Sequence, residues 1–596
     1  MRSVLKHPAC HLAAVAALCL LAYGRALSRG FVSEDFFVLR RFAAGSLWET
    51  AWAHLTGPLL EISFVKFYRP VSAFLAHLEY LLWGTLPAGY LVTHLAVHGL
   101  NAVLVYRLAA AWSRGNKASA AGVTLIFAVY PLHPNAVLFV AAFATLFGAT
   151  FLLASLVLYE HYRTGGGARC LAGSLVCFAL ALGSYEQTVV LPVFVAAREL
   201  LAAWEERGRP ACRGLRGRAR PVLPFFTVLL AYFLVRRAAL GETVAGYEGF
   251  QERLSAGEAV KLGHGILVGL ARLIYPSYDH GVASAALWTI GVLVILGTAG
   301  AVYRGGAMCR FWTLGWLWIL ASQAPFVFAG VVPGNGRYWY LTSIGLGLAV
   351  AAAADLLAQV FALVRPRPDR ALVVTGVTVA VGIGYFFLLT DYTRVYAEAG
   401  RTASAVRSRL AELPASAGGR VFVTGYPDFL RGPRKTPIAQ VFFWGLSDAL
   451  APPFAEGAAT VYPLPPLSDA ELSPLLERAD LGTVWRWLPA SGALEQLELA
   501  DVAGLERLPT RAAAPGELAF HATAGSHRLV LLARGSASTY PVTETADAEG
   551  WIAARLPEEV VRSWRHLYDG EIFAWIEARR DGRLVAVSRL QRVDSG

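Results

Sequence analysis

"AGYLVTHLAVHGLNAVLVYRLAAAWSRGNK" occupies residues 88–117. Residues 88–112 are mostly apolar, and at about 1.5 Å of rise per residue a helix of that length crosses a hydrocarbon core. The run stops in Ser113-Arg114-Gly115-Asn116-Lys117, a short linker with two cations. An apolar run closed by a basic linker has the pattern of a membrane span entering the cytoplasm.

The same pattern recurs along the chain. Spans are expected at 8–27, 88–112, 118–132, 141–162, 169–185, 187–204, 221–238, 282–303, 311–330, 338–362 and 371–390, about 11 in all by the length criterion. Composition agrees. The 596 residues are 56% hydrophobic and 16% charged, where soluble domains average roughly 45–50% and about 25%. Mean hydropathy is +0.48. The fold class expected is an all-α polytopic membrane domain at 1–390, followed by a soluble mixed α/β domain at 391–596. Arg2, Lys6 and His7 ahead of the first run would also suit a cleavable signal; the many later runs favour an uncleaved first span. Two further apolar stretches, 70–84 and 258–275, carry charged residues and read as amphipathic surface helices.

The net charge of +11 does not point to nucleic acid, because the cations fall in short clusters between apolar runs. With the N-terminus cytoplasmic, the linkers 113–117, 163–169, 205–220, 304–310 and 363–370 all lie inside, and each carries Arg or Lys as the positive-inside rule requires. The six arginines within 207–220 read as a topological anchor. Five lysines among 53 cationic residues, with abundant Ala and Gly, suggest a GC-rich bacterial source and so a bacterial inner membrane. All six cysteines lie at or before Cys309, so the C-terminal domain must stand on its own core without a disulfide. There, 419–427, 482–489, 527–535 and 571–590 read as strands, the last a hairpin turning at Asp581-Gly582. Helices are expected at 398–412, 438–450 and 468–480.

The opposite face receives the first outer loop, 28–87, then 133–140, the Ser184–Gln187 turn, 239–281, 331–337 and everything after 391. It gathers the polar motifs: Glu34-Asp35, "FYRP" at 67–70, "PLHPN" at 131–135, "SYEQ" at 184–187, "YPSYDH" at 275–280 and "GNGRYWY" at 334–340. Polar groups held near membrane depth mark functional sites. The cytoplasmic side offers no GxxxxGK[ST] and no GxGxxG between strand and helix, and its longest loop is 205–220. An enzyme built this way works on its outer face with a donor already activated, such as a group on a lipid phosphate. A carboxylate can take the proton of an acceptor hydroxyl, which suits Glu34 or Asp35. Guanidinium forks match phosphate oxygens, which suits Arg69 beside Tyr68, and Arg337 beside Tyr338.

Taken in order, "SEDFFVL", "YRPVSAFLAHLEYLLWGTLPAGYLVTHLAVHGLNAVLVYRL", "PLHPNAV", "LALGSYEQTVVLPV" and "RYWYLTSIGLGL" resemble the GT-C glycosyltransferases. The likeness is to transmembrane O-mannosyltransferases that carry C-terminal tetratricopeptide repeats and to their bacterial relatives, over about residues 1–390. It implies an inverting transferase that takes a sugar from a polyprenyl-phosphate donor outside the membrane and passes it to a protein or glycan acceptor. By this resemblance the paired-acid motif falls on Glu34 and Asp35, the donor-phosphate cation on Arg69 and the aromatic-flanked arginine on Arg337. The sequence departs from the family in having Glu-Asp for the commoner Asp-Asp, Ser184-Tyr185-Glu186 where a lysine is usual, and no repeat domain. Substrate contacts are expected from His133, Asn135, Glu186, Asp279 and His280. Some GT-C members use a divalent metal; relatives closer to this sequence do without one, and no ligand spacing here indicates a metal or any other cofactor.

Each assignment has a plainer counterpart. The acids could cap a helix or pair with Arg40 and Arg41; Arg69 could snorkel to headgroups; His133 could be a satisfied structural histidine; Glu186 could pair with an arginine. Two rival functions are a transporter or lipid flippase, which would be expected to show paired half-repeats, and an inactive scaffold whose outer domain binds a partner.

Overall fold

A computed structural model of the chain describes residues 8–61, 66–113, 115–205, 218–243, 269–276, 294, 297–299, 306–328, 336–361, 369–413, 420–431, 437–456, 460–465, 467–478, 482–498, 505–511, 516–534, 536–558, 560–561, 564 and 571–593. The N-terminal part is a helical bundle. Its helices are α1 (Pro8–Tyr23), α2 (Glu34–Ala43), α3 (Leu47–Thr56), α4 (Pro70–Trp83), α5 (Pro87–Trp112), α6 (Lys117–Ala128), α7 (Pro134–Val137), α8 (Phe143–His161), α9 (Gly167–Leu182), α10 (Leu191–Glu205), α11 (Leu223–Leu240), α12 (Gly306–Phe328), α13 (Thr342–Phe361) and α14 (Arg370–Ala411). Every expected span is a helix except 282–303, which falls almost wholly outside the described residues, as does most of 258–275. The stretch at 70–84 is α4, which buries Ser72, Ala73, Ala76, His77 and Glu79 and leaves Leu81 and Leu82 exposed.

Local chemistry sets the helix ends. Pro70, Pro87 and Pro134 sit in the first turn, where a missing N–H costs nothing. Asn116 caps α6 through the amides of Ala118 and Ser119, and Asp369 caps α14 through Ala371.

The two ends of the bundle differ in kind. At one end the arginine-bearing linkers meet. Arg198 grips both oxygens of Glu160 at 2.8 and 2.9 Å. Arg163, Arg198 and Arg218 surround Glu199 at 2.9, 3.0 and 3.5 Å, and the Trp112 indole donates to Glu160. Multiple hydrogen bonds per carboxylate offset the desolvation that such buried pairs suffer. The connections carrying Glu34, Arg69, Asn135, Glu186 and Arg337 converge at the other end.

α14 is 42 residues long, roughly 60 Å at helical rise, about twice a hydrocarbon core. Its second half therefore projects beyond the bundle and buries Tyr396, Ala399, Ala403, Val406 and Leu410. The expected boundary at 390 and the helix expected at 398–412 both lie within this one helix. Nothing breaks it, because the residues after Leu389 keep helical spacing of their buried positions while turning polar on the other faces.

The domain that follows α14, outer in the sense that it lies beyond the end of the bundle, is strand-rich. Strands β1 (Arg420–Thr424), β4 (Thr460–Pro463), β5 (Thr483–Leu488) and β6 (Ala493–Leu497) form a sheet in the order β4-β1-β5-β6, with β1 parallel to both neighbours. A second sheet is centred on β10 (Ser526–Ala533) and β13 (Phe573–Arg580). Period-2 alternation puts Val530, Leu532, Phe573 and Trp575 in one core with Phe422 and Val484, and Leu529, Leu531, Ala574 and Ile576 in another. β13 returns as β14 (Arg583–Ser588) through Asp581 and Gly582, both at positive φ, as a two-residue hairpin turn requires. The helix expected at 438–450 is absent as such. Pro437–Gln440 is strand β3, paired with β2 (Phe429–Arg431), and only Leu446–Ala449 is helical. The apolar run there serves a sheet edge and a strap rather than a helix face.

One buried cluster runs without interruption from the bundle into the outer domain, joining Phe31, Phe36 and Phe454 to residues such as Val421, Val441 and Leu446.

Candidate active site at the outer end of the bundle

The adjacent acids separate as soon as α2 forms, because neighbouring helical residues point about 100° apart. Asp35 turns inward and is fully buried. Its Oδ2 accepts from the Val32 amide at 3.1 Å, its Oδ1 accepts from the Ala141 amide at 2.9 Å, and the Arg29 guanidinium lies 3.9 Å away. Burial pushes the Asp35 carboxyl up to about 6, against the lowering influence of Arg29 and the two amides. Asp35 thus ties the first outer loop to the start of α8. Of the two acids named as candidate bases, Asp35 is buried and Glu34 is partly exposed. The Glu34 side chain is 29% exposed, with Oε2 3.9 Å from Nη1 of Arg337.

Arg337 lies in the 3-10 turn Gly336–Trp339. Its amide donates to Oδ1 of Asn135 at 3.2 Å, and its guanidinium lies over the Phe139 and Tyr338 rings at 5.8 and 5.6 Å. Arg69 lies over Phe67 and Tyr185 at 4.2 and 5.0 Å and donates from Nε to Oε2 of Glu186 at 2.7 Å. The turn that holds Arg69 through Glu186 meets the turn that carries Arg337 where the Gln187 side-chain amide donates to the Tyr338 carbonyl at 3.4 Å.

Several expected substrate contacts are bonded within the protein. Glu186 is held by Arg69, by the Tyr68 amide at 3.1 Å and by Arg236 at 3.9 Å, so it is a counter-ion of the arginines. Two cations drawing on one carboxylate leave net positive charge at this spot. His133 is fully buried, ringed by Tyr130, Tyr340 and Phe127, with Nε2 3.0 Å from the Ser343 hydroxyl; it is a packing residue. Asn135 donates to the Tyr396 hydroxyl and accepts from the Arg337 amide, which ties the arginine's turn to α14. The Tyr68 hydroxyl donates to the Leu55 carbonyl, and Tyr338 packs on Phe326. Asp279 and His280 lie outside the described residues. Among the described residues no group of His, Cys, Asp or Glu is arranged to hold a metal ion.

Sequence reading missed Arg236, whose Nη2 donates to the Lys66 carbonyl at 2.6 Å. Its signal was available: a charged pair, Arg236-Arg237, closing an otherwise apolar run.

No family model matches the chain, and no curated protein matches it. Among solved structures it is similar to the apo oligosaccharyltransferase of Archaeoglobus fulgidus, at 12% identity and TM-score 0.37, over 68% of this chain and 58% of that one. It is also similar to ArnT from Cupriavidus metallidurans bound to undecaprenyl phosphate, at 15% identity and TM-score 0.34, over 70% and 82%. A third is the mycobacterial arabinofuranosyltransferase AftD, at 13% identity and TM-score 0.36, over 91% and 40%. The chain thus spans less than two thirds of the first and third of these proteins. What it does chemically rests on its own residues.

Proposed function

We propose that the chain is a membrane glycosyltransferase that moves a sugar from a polyprenyl-phosphate donor to an acceptor hydroxyl at the outer end of the bundle, with inversion. The observation that carries this reading is the meeting of one partly exposed carboxylate, Glu34, with one partly exposed guanidinium, Arg337, at 3.9 Å. Arg69 and Arg236, both held at Glu186, supply further positive charge. Glu34 takes the proton of the acceptor hydroxyl as that oxygen bonds to the anomeric carbon. The bond from that carbon to the phosphate oxygen breaks, and its electron pair leaves with the polyprenyl phosphate. Arg337 and Arg69 neutralise the departing phosphate. Asp35 holds the loop that presents Glu34. The basic linkers at the opposite end support a site that opens outside the cytoplasm, in a bacterial inner membrane. The chain beyond α14 is then an extracytoplasmic domain.

The reading is tested with purified full-length protein, a panel of labelled undecaprenyl-phosphate sugars and an envelope extract as acceptor source. Label should leave the lipid fraction with at least one donor. Arg69→Ala should weaken undecaprenyl-phosphate binding by about tenfold or more, the share expected of a charge-assisted phosphate contact. Absence of transfer across the panel, together with unchanged lipid binding in Arg69→Ala, would overturn it.

A further inference from the structure

Ser33, immediately before Glu34, holds φ +46 and ψ −121, a backbone geometry that residues with a Cβ adopt only when their surroundings impose it. It stands at the N-cap of α2, where a serine hydroxyl ordinarily accepts the first amides of its own helix. Here it makes no such bond. Its hydroxyl instead accepts from the Trp444 amide at 3.0 Å, and its own amide donates to the Val441 carbonyl at 2.8 Å. Gly445, at φ +81, lies so close that an added Cβ would meet the Ser33 carbonyl oxygen at 2.4 Å.

The grip continues along α2. Phe36 stacks on Phe442 at 5.8 Å and meets Phe454 edge-on at 5.0 Å. Arg40 donates to Asp448 at 2.8 Å. All these partners belong to the outer domain. On the other side, Asp35 is bonded to Ala141 of the bundle. Glu34 is therefore held between two bodies: the bundle fixes the residue after it, and the outer domain fixes the residue before it.

We propose that segment 441–448 of the outer domain is a positioning clamp for Glu34. Ser33, the Trp444 amide and Gly445 are positioning residues that act through it. Released from the clamp, Ser33 would relax to an ordinary N-cap conformation and its hydroxyl would turn to the α2 amides, rotating Glu34 away from Arg337. The functional half of this inference rests on the transferase reading. Its structural half does not. It gives the outer domain a part in the reaction whatever acceptor it faces.

The test compares full-length Gly445→Ala with full-length Gly525→Ala. The second has the same kind of clash, 2.2 Å from an added Cβ to the Arg579 carbonyl oxygen at φ +132, in the same domain but away from α2. Gly445→Ala should lower kcat about tenfold or more, the scale on which small misplacements act, with undecaprenyl-phosphate affinity unchanged. Hydrogen exchange at amides 33–37 should quicken. Gly525→Ala should change none of these, even where it lowers thermal stability. Ser33→Ala, which removes only the hydroxyl acceptor, should show the same pattern to a smaller degree, and it stands in should Gly445→Ala fail to fold. Equal kcat losses in both glycine variants, or unaltered exchange at 33–37 in Gly445→Ala or its stand-in, overturn the clamp. A parent with no activity on any donor overturns the transferase reading instead and leaves the exchange comparison to decide the clamp.

Discussion

Glu34→Gln lowers turnover by about two to four orders of magnitude, the usual span for loss of a general base, and leaves undecaprenyl-phosphate binding close to that of the parent. The amide keeps the size and nearly the shape of the carboxylate but cannot take a proton from the attacking hydroxyl. Its distance from Arg337, 3.9 Å, lies beyond hydrogen-bond contact. The pair is also partly exposed, so its loss should cost the fold no more than about 1 kcal/mol. Catalysis and stability therefore separate at this residue, and a melting curve beside the turnover assay shows the separation. Arg337→Ala should behave differently. It removes a group that meets the departing phosphate, so lipid binding and turnover both fall. Retained turnover in Glu34→Gln would show that the proton goes elsewhere, and the assignment of the base would be lost even if transfer itself were demonstrated.

The bundle was legible because span length and basic linkers are short-range signals. Residues 88–117 display both, and α5 ends at Trp112, immediately before the linker begins. Strands 527–535 and 571–590 were legible for the same reason, since alternation and an Asp-Gly turn are written locally. The site was legible only as a set of residue types. Glu34 and Asp35 are adjacent and chemically alike, and their division into exposed and buried partners depends on which side of α2 meets Ala141, about a hundred residues away in sequence. Glu186 read as a substrate contact because its partner Arg69 lies 117 positions earlier. The Ser33 clamp left no local trace, since Trp444 is 411 positions distant and a backbone amide carries no sequence signature. The expected boundary at 390 falls inside α14, which runs unbroken from the bundle to the outer domain, so composition shifts where structure does not.

Asp35→Asn changes how stability depends on pH. In the folded protein burial pushes the Asp35 carboxyl from the ordinary 3.8 to about 6. The folded state therefore keeps its proton to higher pH than the unfolded chain does. Between these two values the folded protein binds more protons, and linkage makes stability fall as pH rises. The contribution is full below about 4 and lost once pH passes about 6. The gap corresponds to about 3 kcal/mol. Asparagine cannot titrate, so the variant lacks this slope. It also offers one acceptor oxygen where the carboxylate offers two to Val32 and Ala141, which costs on the order of 1–3 kcal/mol at every pH. The parent should thus be clearly the more stable protein at pH 4, and its advantage should shrink by about 3 kcal/mol towards pH 7. Melting of both proteins in one detergent across that range reads the difference directly, and titrating groups remote from Asp35 cancel between them. A parent advantage that grows with pH would mean that the ionised carboxylate is the favoured buried form. In that case Arg29 and the two amides outweigh desolvation, and Asp35 would hold the loop as a charged anchor rather than a protonated one.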